Sequence, residues 1–392
     1  MTIQSWTGYC TNVHAGANLE QTQQNLNTHA SRVQQILGRE QPLGVGLWLS
    51  NSTAQSLVEP GKLDEFAQLL HDNQWIPYTF NGFPFGDFHK SIVKHDVYLP
   101  TWWQPERLTY TKNLVTILDR LLSPGEEGSI STMPIAWGTP APTDEQWKLT
   151  VGNMLNLVQH LYELEQSTGR LIYVCIEPEP GCLLDTTEDV INFFQQRLFP
   201  AGNAELIRRY LRVCHDVCHA AVMFEDQLSV LEKYAQAGIL IGKVQISSAI
   251  EIRFAELTED ERHAVLAEVS EFAEDRYLHQ TTSRAADGTL QYFDDLPFAL
   301  QEASQKVPED ETWRIHFHMP IYLDQFGLLR TTQSHIHDFL SEIRNYPEIR
   351  HFEVETYAWG VLPKELQHNE LAEGIAQEIH WLRQQLANSK LV

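Results

Sequence analysis

A closed (β/α)8 barrel is the fold this chain predicts, on three observations. Short apolar stretches alternate with longer amphipathic ones along the sequence, the pattern of a parallel sheet whose crossovers are helices. Several apolar stretches are continuous rather than alternating, as strands covered on both faces are. Eight such units can be placed, and eight close a barrel. The rival, an open doubly wound sheet, carries a glycine-rich first turn, and neither GxGxxG nor GxxxxGK[ST] occurs.

The strands are expected at 8–14, 43–50, 76–83, 130–137, 171–177, 213–224 (its second half also readable as loop or helix), 242–247 and 352–357. Residues 18–38 read as a capped helix with a stop glycine. Leu108, Leu114, Ile117, Leu118, Leu121 and Leu122 share one helical face. So do Trp147, Val151, Met154, Leu155, Val158 and Leu161, after the cap Thr143. Leu228, Leu231, Tyr234 and Ala235 make a shorter helix ending at Gly238, and 364–387 reads as a C-terminal helix. Residues 251–350 break the rhythm with a helix at 259–274, a polar passage at 279–291 and the segment 313–322, a ninth strand candidate. This stretch is expected to be an arm inserted over the barrel mouth, within a single domain spanning 1–392.

Composition excludes some classes of function. The 392 residues hold 52 acidic and 28 basic side chains, a formal charge of −24. Such a chain repels phosphate backbones and anionic headgroups, so nucleic-acid binding and a polybasic membrane anchor are disfavoured. Five cysteines, an odd number in a long chain, argue for a reducing compartment rather than a disulfide framework. No basic-then-apolar leader opens the sequence and no apolar run approaches the roughly 20 residues of a bilayer span. The expectation is a cytoplasmic protein with no direct membrane insertion.

Barrel chemistry sits at the C-terminal ends of the strands, and ligand-type residues gather there. The fifth strand ends Cys-Ile-Glu177-Pro-Glu179, the sixth runs Cys214-His215-Asp216-Val-Cys218-His219, and the seventh carries Gln245. The eighth reads Glu353-Val-Glu355-Thr-Tyr, and the inserted segment holds His316-Phe-His318. The period of two puts Glu353 with Glu355 and His316 with His318 on common faces. Carboxylates turned inward from several strands incur a large desolvation cost, most simply offset by a divalent metal: Mn, Co, Zn or Mg.

Each residue also has a structural reading. Glu177 can cap the next helix, and Glu179 fits a loop. Asp216 can start a helix with His219 as a satisfied core histidine, and His215 can be structural. Gln245 can be an interior hydrogen-bonder, His316 and His318 a wet strand face, and Glu353 solvent-facing or ion-paired. Cys214 and Cys218, spaced C-x3-C with no second pair, read as small buried hydrophobes rather than a zinc site. His14, Asn81, His89, Trp137 and Tyr357 stand near strand ends and are candidates for substrate contact. No G-x-S-x-G supports a serine nucleophile.

An acidic residue after the fifth strand, Asp-x-x-His after the sixth, a polar residue on the seventh and Glu on the eighth resemble the xylose-isomerase-like barrels, which include sugar isomerases, epimerases and type-IV apurinic endonucleases. Asp216-Val-Cys-His219 is similar to the Asp-x-Cys-His of the endonuclease branch. A closer resemblance lies in Gly8-Tyr-Cys-Thr-Asn-Val-His14, Asn81-Gly-Phe-Pro-Phe-Gly and Val354-Glu355-Thr-Tyr, which together are similar to the EboE metabolite-traffic family. That resemblance implies a small-molecule metabolite and pathway partners, among them a prenyltransferase, in biosynthesis and export, as with the scytonemin precursor of cyanobacteria.

The superfamily resemblance implies metal ligands at Glu177, Asp216, Gln245 and Glu355, with His219 binding substrate or supporting the metal. It also implies an additional zinc at His316 and His318. Two departures stand out: Gln245 replaces the usual histidine, and the fourth strand offers none, which puts a three-zinc phosphodiester site in doubt.

Three functions follow. In a metal-dependent isomerase or epimerase, Glu177 and Glu355 would move the proton α to a carbonyl, with His219 orienting a hydroxyl. In a non-catalytic carrier, Trp102, Trp103, Trp137, Tyr357 and Trp359 would stack on an aromatic metabolite. The third is hydrolysis of a small phosphodiester.

Overall fold

The computed structural model describes residues 5–39, 41–87, 89–366 and 370–389. Eight parallel strands close a barrel: β1 (Trp6–Cys10), β2 (Leu43–Trp48), β3 (Trp75–Asn81), β4 (Glu127–Thr132), β5 (Leu171–Ile176), β6 (Leu211–Asp216), β7 (Ile241–Ile246) and a last strand at His351–Val354. Each expected strand is present, and the sequence reading errs mainly at the C-terminal ends. The first strand stops at Cys10, where Thr11–Val13 tighten into a 3-10 turn. The fourth starts at Glu127 and stops before Pro134, which cannot donate to a ladder. The span 213–224 divides at Asp216, whose side chain accepts from the His219 amide and starts the helix Val217–Val222.

The helices follow their caps. Asn18 accepts from the Gln21 amide and opens Leu19–Asn25, which continues through a π turn at Leu26–Ala30 into Ser31–Leu37. Thr143 and Gln146 form a reciprocal capping box before Asp144–Thr168. Gln227–Ala237 ends at Gly238 in the left-handed region. The last helix, Leu371–Asn388, begins later than expected, and residues 367–369 lie outside the described residues.

Between β7 and the last barrel strand lies a second, antiparallel sheet: β8 (Ile250–Arg253), β9 (Thr281–Arg284), β10 (Leu290–Phe293), β11 (Thr312–Ile315), β12 (Gln325–Phe326) and β13 (Leu329–Thr331), in the order β10-β9-β11-β8-β13-β12. The barrel strand His351–Val354 is then β14. The ninth candidate is thus no barrel strand: β11 pairs with β8 and β9. This sheet has its own core, including Ile252, Phe272, Trp313 and Phe317. The helix Gln333–Glu342 returns Ile336, Phe339 and Leu340 to the barrel core.

The barrel interior holds a buried ion pair. Lys243 Nζ on β7 lies 2.7 Å from Glu353 Oε2 on β14, both side chains fully enclosed. Glu353, read from sequence as solvent-facing or ion-paired, is ion-paired. Space for it comes from β2: a Cβ on Gly46 would lie 1.1 Å from Glu353 Oε1. Gly46→Ala therefore displaces Glu353 and strands a buried charge, which costs about 3–5 kcal/mol. Gly152→Ala, in an exposed helix with nothing within 4 Å of the new Cβ, should gain about 0.5–1 kcal/mol. Urea unfolding of the two variants checks both signs.

Candidate metal centre

Three carboxylates converge at the C-terminal mouth. Glu177 follows β5, Asp216 ends β6 and Glu355 follows β14, and one oxygen of each lies within 4.8 Å of the others. All three are buried, and among the described residues none is bridged to a lysine or arginine. Asn12 Nδ2 donates to Glu355 Oε1 at 2.7 Å. Asp216 Oδ1 accepts from Ser247 Oγ and from the His219 amide, while Oδ2 is buried without a hydrogen-bond partner. The helix-cap reading of Asp216 therefore holds for one oxygen and leaves the other to the site.

Burial raises the carboxyl of Glu177 to about 7, with Asp216 adding to the rise against His219. Burial, then Glu177 and Asp216, drives Glu355 well above the ordinary range. Burial opposes ionisation of Asp216 too, but His219, His318 and the Ser247 hydroxyl bring it below its usual value. These groups resist sharing one pocket as anions.

Beside them stand three imidazoles. His316 Nε2 lies 3.2 Å from His219 Nε2 and 3.2 Å from His318 Nε2. The other nitrogens fix the tautomers, because each faces an oxygen that only accepts. His219 Nδ1 donates to Pro178 O at 2.8 Å, and His318 Nδ1 to Glu355 O at 2.6 Å. His316 Nδ1 donates to Gln280 Oε1 at 2.8 Å, since the Gln280 amide nitrogen is turned to Glu179 and to Pro180 O. Three Nε2 atoms therefore offer lone pairs to one another. A proton on His219 satisfies one of the two contacts, and its carboxylate neighbours do hold its pKa above the usual value against burial. The His316–His318 contact still faces two lone pairs, and burial lowers both of those imidazoles.

The donor set fits divalent metal. Glu177, Asp216 and Glu355 form one candidate group, while Glu179 with His219 and His316, and Asp216 with His219 and His318, form adjoining ones. Each imidazole has its second nitrogen held by a carbonyl oxygen, the usual support of metal-bound histidine. Gln245, buried on β7 in register with Asp216, has Oε1 without a partner. Its amide nitrogen donates to Asn81 Oδ1 at 2.9 Å.

The remaining sequence candidates divide. Asn81 and Tyr357 line a cleft over the carboxylates, with Phe83, Tyr98 and Tyr277. The polar atoms of Asn81 are taken by Glu353, Lys243 and Gln245, so they serve the barrel interior rather than the expected substrate contact. His14 and His89 are outside the cleft lining, because the turn after Cys10 carries His14 onto Tyr9 and His29. His89 packs beside Trp48. Trp137 and Trp103 line a separate outer groove. Trp102 and Trp359 are core: their indole nitrogens donate to Thr132 and Glu378.

His215 is structural, bonded to Gln227 and stacked on Phe339. Sequence reasoning passed over Lys243, although its spacing of two from Gln245 is the signal that it too points inward. It also read Glu179 as a loop residue or a support behind the ligands rather than as a ligand. The chain's return through Tyr98 and Gln280, which bond Glu179, has no local signature.

No protein-family model and no curated protein sequence matches the chain. Solved structures do. A xylose isomerase domain protein from Planctomyces limnophilus superposes with a TM-score of 0.51 at 11% identity, over 98% of this chain and 99% of that one. A D-tagatose 3-epimerase-like protein gives 0.50 at 11% identity, over 98% of each chain. The fold is a closed (β/α)8 barrel like that of these two proteins. Among the described residues, no helix is long and apolar enough to cross a membrane.

Elemental mass spectrometry on the purified protein checks the centre. Divalent metal is expected in the wild type, retained in part by His316→Ala/His318→Ala and lost from Glu177→Ala/Asp216→Ala.

Proposed function

We propose that this protein is a divalent-metal-dependent isomerase or epimerase acting on a small hydroxycarbonyl or sugar-like metabolite. The observation that carries this reading is the meeting of three buried carboxylates, from the ends of three strands, with no lysine or arginine among the described residues bridging them and His219 Nε2 at 3.7 Å from Asp216 Oδ2. Glu177, Asp216, Gln245 and Glu355 would hold the cation. Once bound, it supplies polarisation of a carbonyl and a clamp on adjacent oxygens.

The chain's own residues do the rest. Glu177 and Glu355 stand on strands separated by β6 and β7, so they reach the substrate carbon from different sides. One takes the proton α to the carbonyl and the other returns it. His219, its Nδ1–H anchored on Pro178 O, presents Nε2 to a substrate hydroxyl. Tyr357, whose ring lies 4.6 Å from that of His318, closes the cleft and limits water.

The motifs shared with the EboE family support a place in a biosynthesis and export pathway for a small metabolite, beside other proteins of that pathway in the cytoplasm. The net charge of −24 supports a small-molecule substrate over nucleic acid.

One observation favours a second reading. The three converging imidazoles adjoin the carboxylates and offer a place for a further ion, as a multi-metal phosphodiester hydrolase requires. Of the carrier reading's five aromatic residues Tyr357 alone lines the cleft, where Phe83, Tyr98 and Tyr277 take the place of the others.

Deuterium wash-in tests the main reading whatever the product proves to be. Manganese-loaded protein is incubated in D2O with a panel of ketoses and hydroxyketones, and NMR follows exchange α to the carbonyl. Glu355→Gln is expected to lower exchange about 10²–10⁴-fold while metal stays bound. No exchange with any panel member, together with cleavage of bis(p-nitrophenyl) phosphate by protein holding two or more ions, would replace the isomerase by the hydrolase.

A further inference from the structure

Lys243, Glu353 and Asn81 lie beneath the metal centre and take no part in the chemistry proposed above. We infer that this buried group is a positioning device that turns the Gln245 amide so that its oxygen faces the metal centre. The inference rests on the metal-centred reading of the site and goes beyond it in saying what aims one ligand.

The argument is a count of donors and acceptors. An ammonium group only donates and a carboxylate only accepts. Lys243 Nζ lies 2.7 Å from Asn81 Oδ1, and Asn81 Nδ2 lies 3.1 Å from each oxygen of Glu353. The ion pair therefore fixes which end of the Asn81 amide is oxygen. That oxygen faces Gln245 at 2.9 Å, so Gln245 must offer its NH2 there.

The consequence falls on Oε1 of Gln245, which is buried with no partner. A buried amide oxygen left this way carries an uncompensated desolvation cost. The same condition holds for Asp216 Oδ2, and Asp216 is the register partner of Gln245 on the adjacent strand. Two buried oxygens without a hydrogen bond on neighbouring strands, Asp216 Oδ2 with His219 Nε2 at 3.7 Å, point to a shared cation. Without both charges of the pair, the Asn81 amide is free to reverse, and Gln245 with it, presenting NH2 to the cation in place of oxygen.

Manganese titration followed by EPR of the free ion tests this on the whole protein. Asn81→Leu removes the acceptor that holds the Gln245 amide and keeps the Lys243–Glu353 pair. It should weaken Mn²⁺ binding about 10–100-fold, the usual effect of losing support behind a ligand. Gln245→Ala should do the same, and the double variant should bind no more weakly than Gln245→Ala alone. Losses that add, or wild-type affinity in Asn81→Leu, would overturn the inference, because a merely structural role predicts independent effects.

Lys243→Met/Glu353→Met provides a second route that removes both charges together. It should show the same loss. Adding Gln245→Glu, which offers oxygen in either orientation, should restore binding in that background only. Wild-type protein that takes up no Mn²⁺ sinks the metal-centred reading and this inference together. Unchanged binding in every variant overturns the inference alone.

Discussion

Glu177, Asp216, Glu353 and Glu355 all point into one barrel, and Lys243 pairs directly with only one of them. The rest of the interior is arranged around that imbalance. Glu353 is paired, and Gly46 leaves the space it occupies. The other three cannot all remain charged in a dry pocket, and the rise at Glu177 and Glu355 shows the strain. A cation is the natural complement. The sequence spends glycine and lysine on one carboxylate and leaves three for a ligand.

The second sheet completes the site by a different route. Its strand β11 ends at Ile315, and the next residues carry His316 and His318 over the barrel mouth. Each is held by a hydrogen bond to an acceptor, His316 Nδ1 donating to Gln280 Oε1 and His318 Nδ1 to Glu355 O, as His219 Nδ1 donates to Pro178 O. The imidazoles are thus oriented by the barrel rim and by the arm at once. Glu378 on the last helix adds a link, accepting from Thr356, Trp359 and the Ile321 amide.

The barrel was legible because its strands are buried on both faces and its helices are capped by ordinary signals, Thr143 with Gln146 being the clearest. Strand ends were less so. Val213 to Val222 is apolar throughout but for His215, Asp216 and His219, and only the Asp216 side chain on the His219 amide decides where strand becomes helix. The carboxylates could be named because each follows a strand. The cleft walls could not, since Tyr98 and Gln280 reach the site from loops and an arm far apart in sequence. His14 shows the opposite failure. A histidine just past a strand looks placed for substrate, yet one 3-10 turn redirects it to Tyr9.

The fold itself decides little about the reaction, since barrels of this type carry many chemistries. The donor atoms say more. Glu177, Asp216 and Glu355 offer oxygen only, and the proposed ligand Gln245 would add a fourth oxygen, a set that suits harder cations such as Mn²⁺ or Mg²⁺. The three imidazoles form a nitrogen set, which suits Zn²⁺ or Co²⁺. In the proposed centre the carboxylates thus give a hard floor and the imidazoles a softer rim, with Asp216 and His219 in a mixed group between them. A substrate with adjacent hydroxyl and carbonyl oxygens matches the floor, and the rim then lies where its outer hydroxyls would sit. That division is the physical ground for preferring carbonyl chemistry over phosphodiester cleavage, which places both of its ions on the same bond.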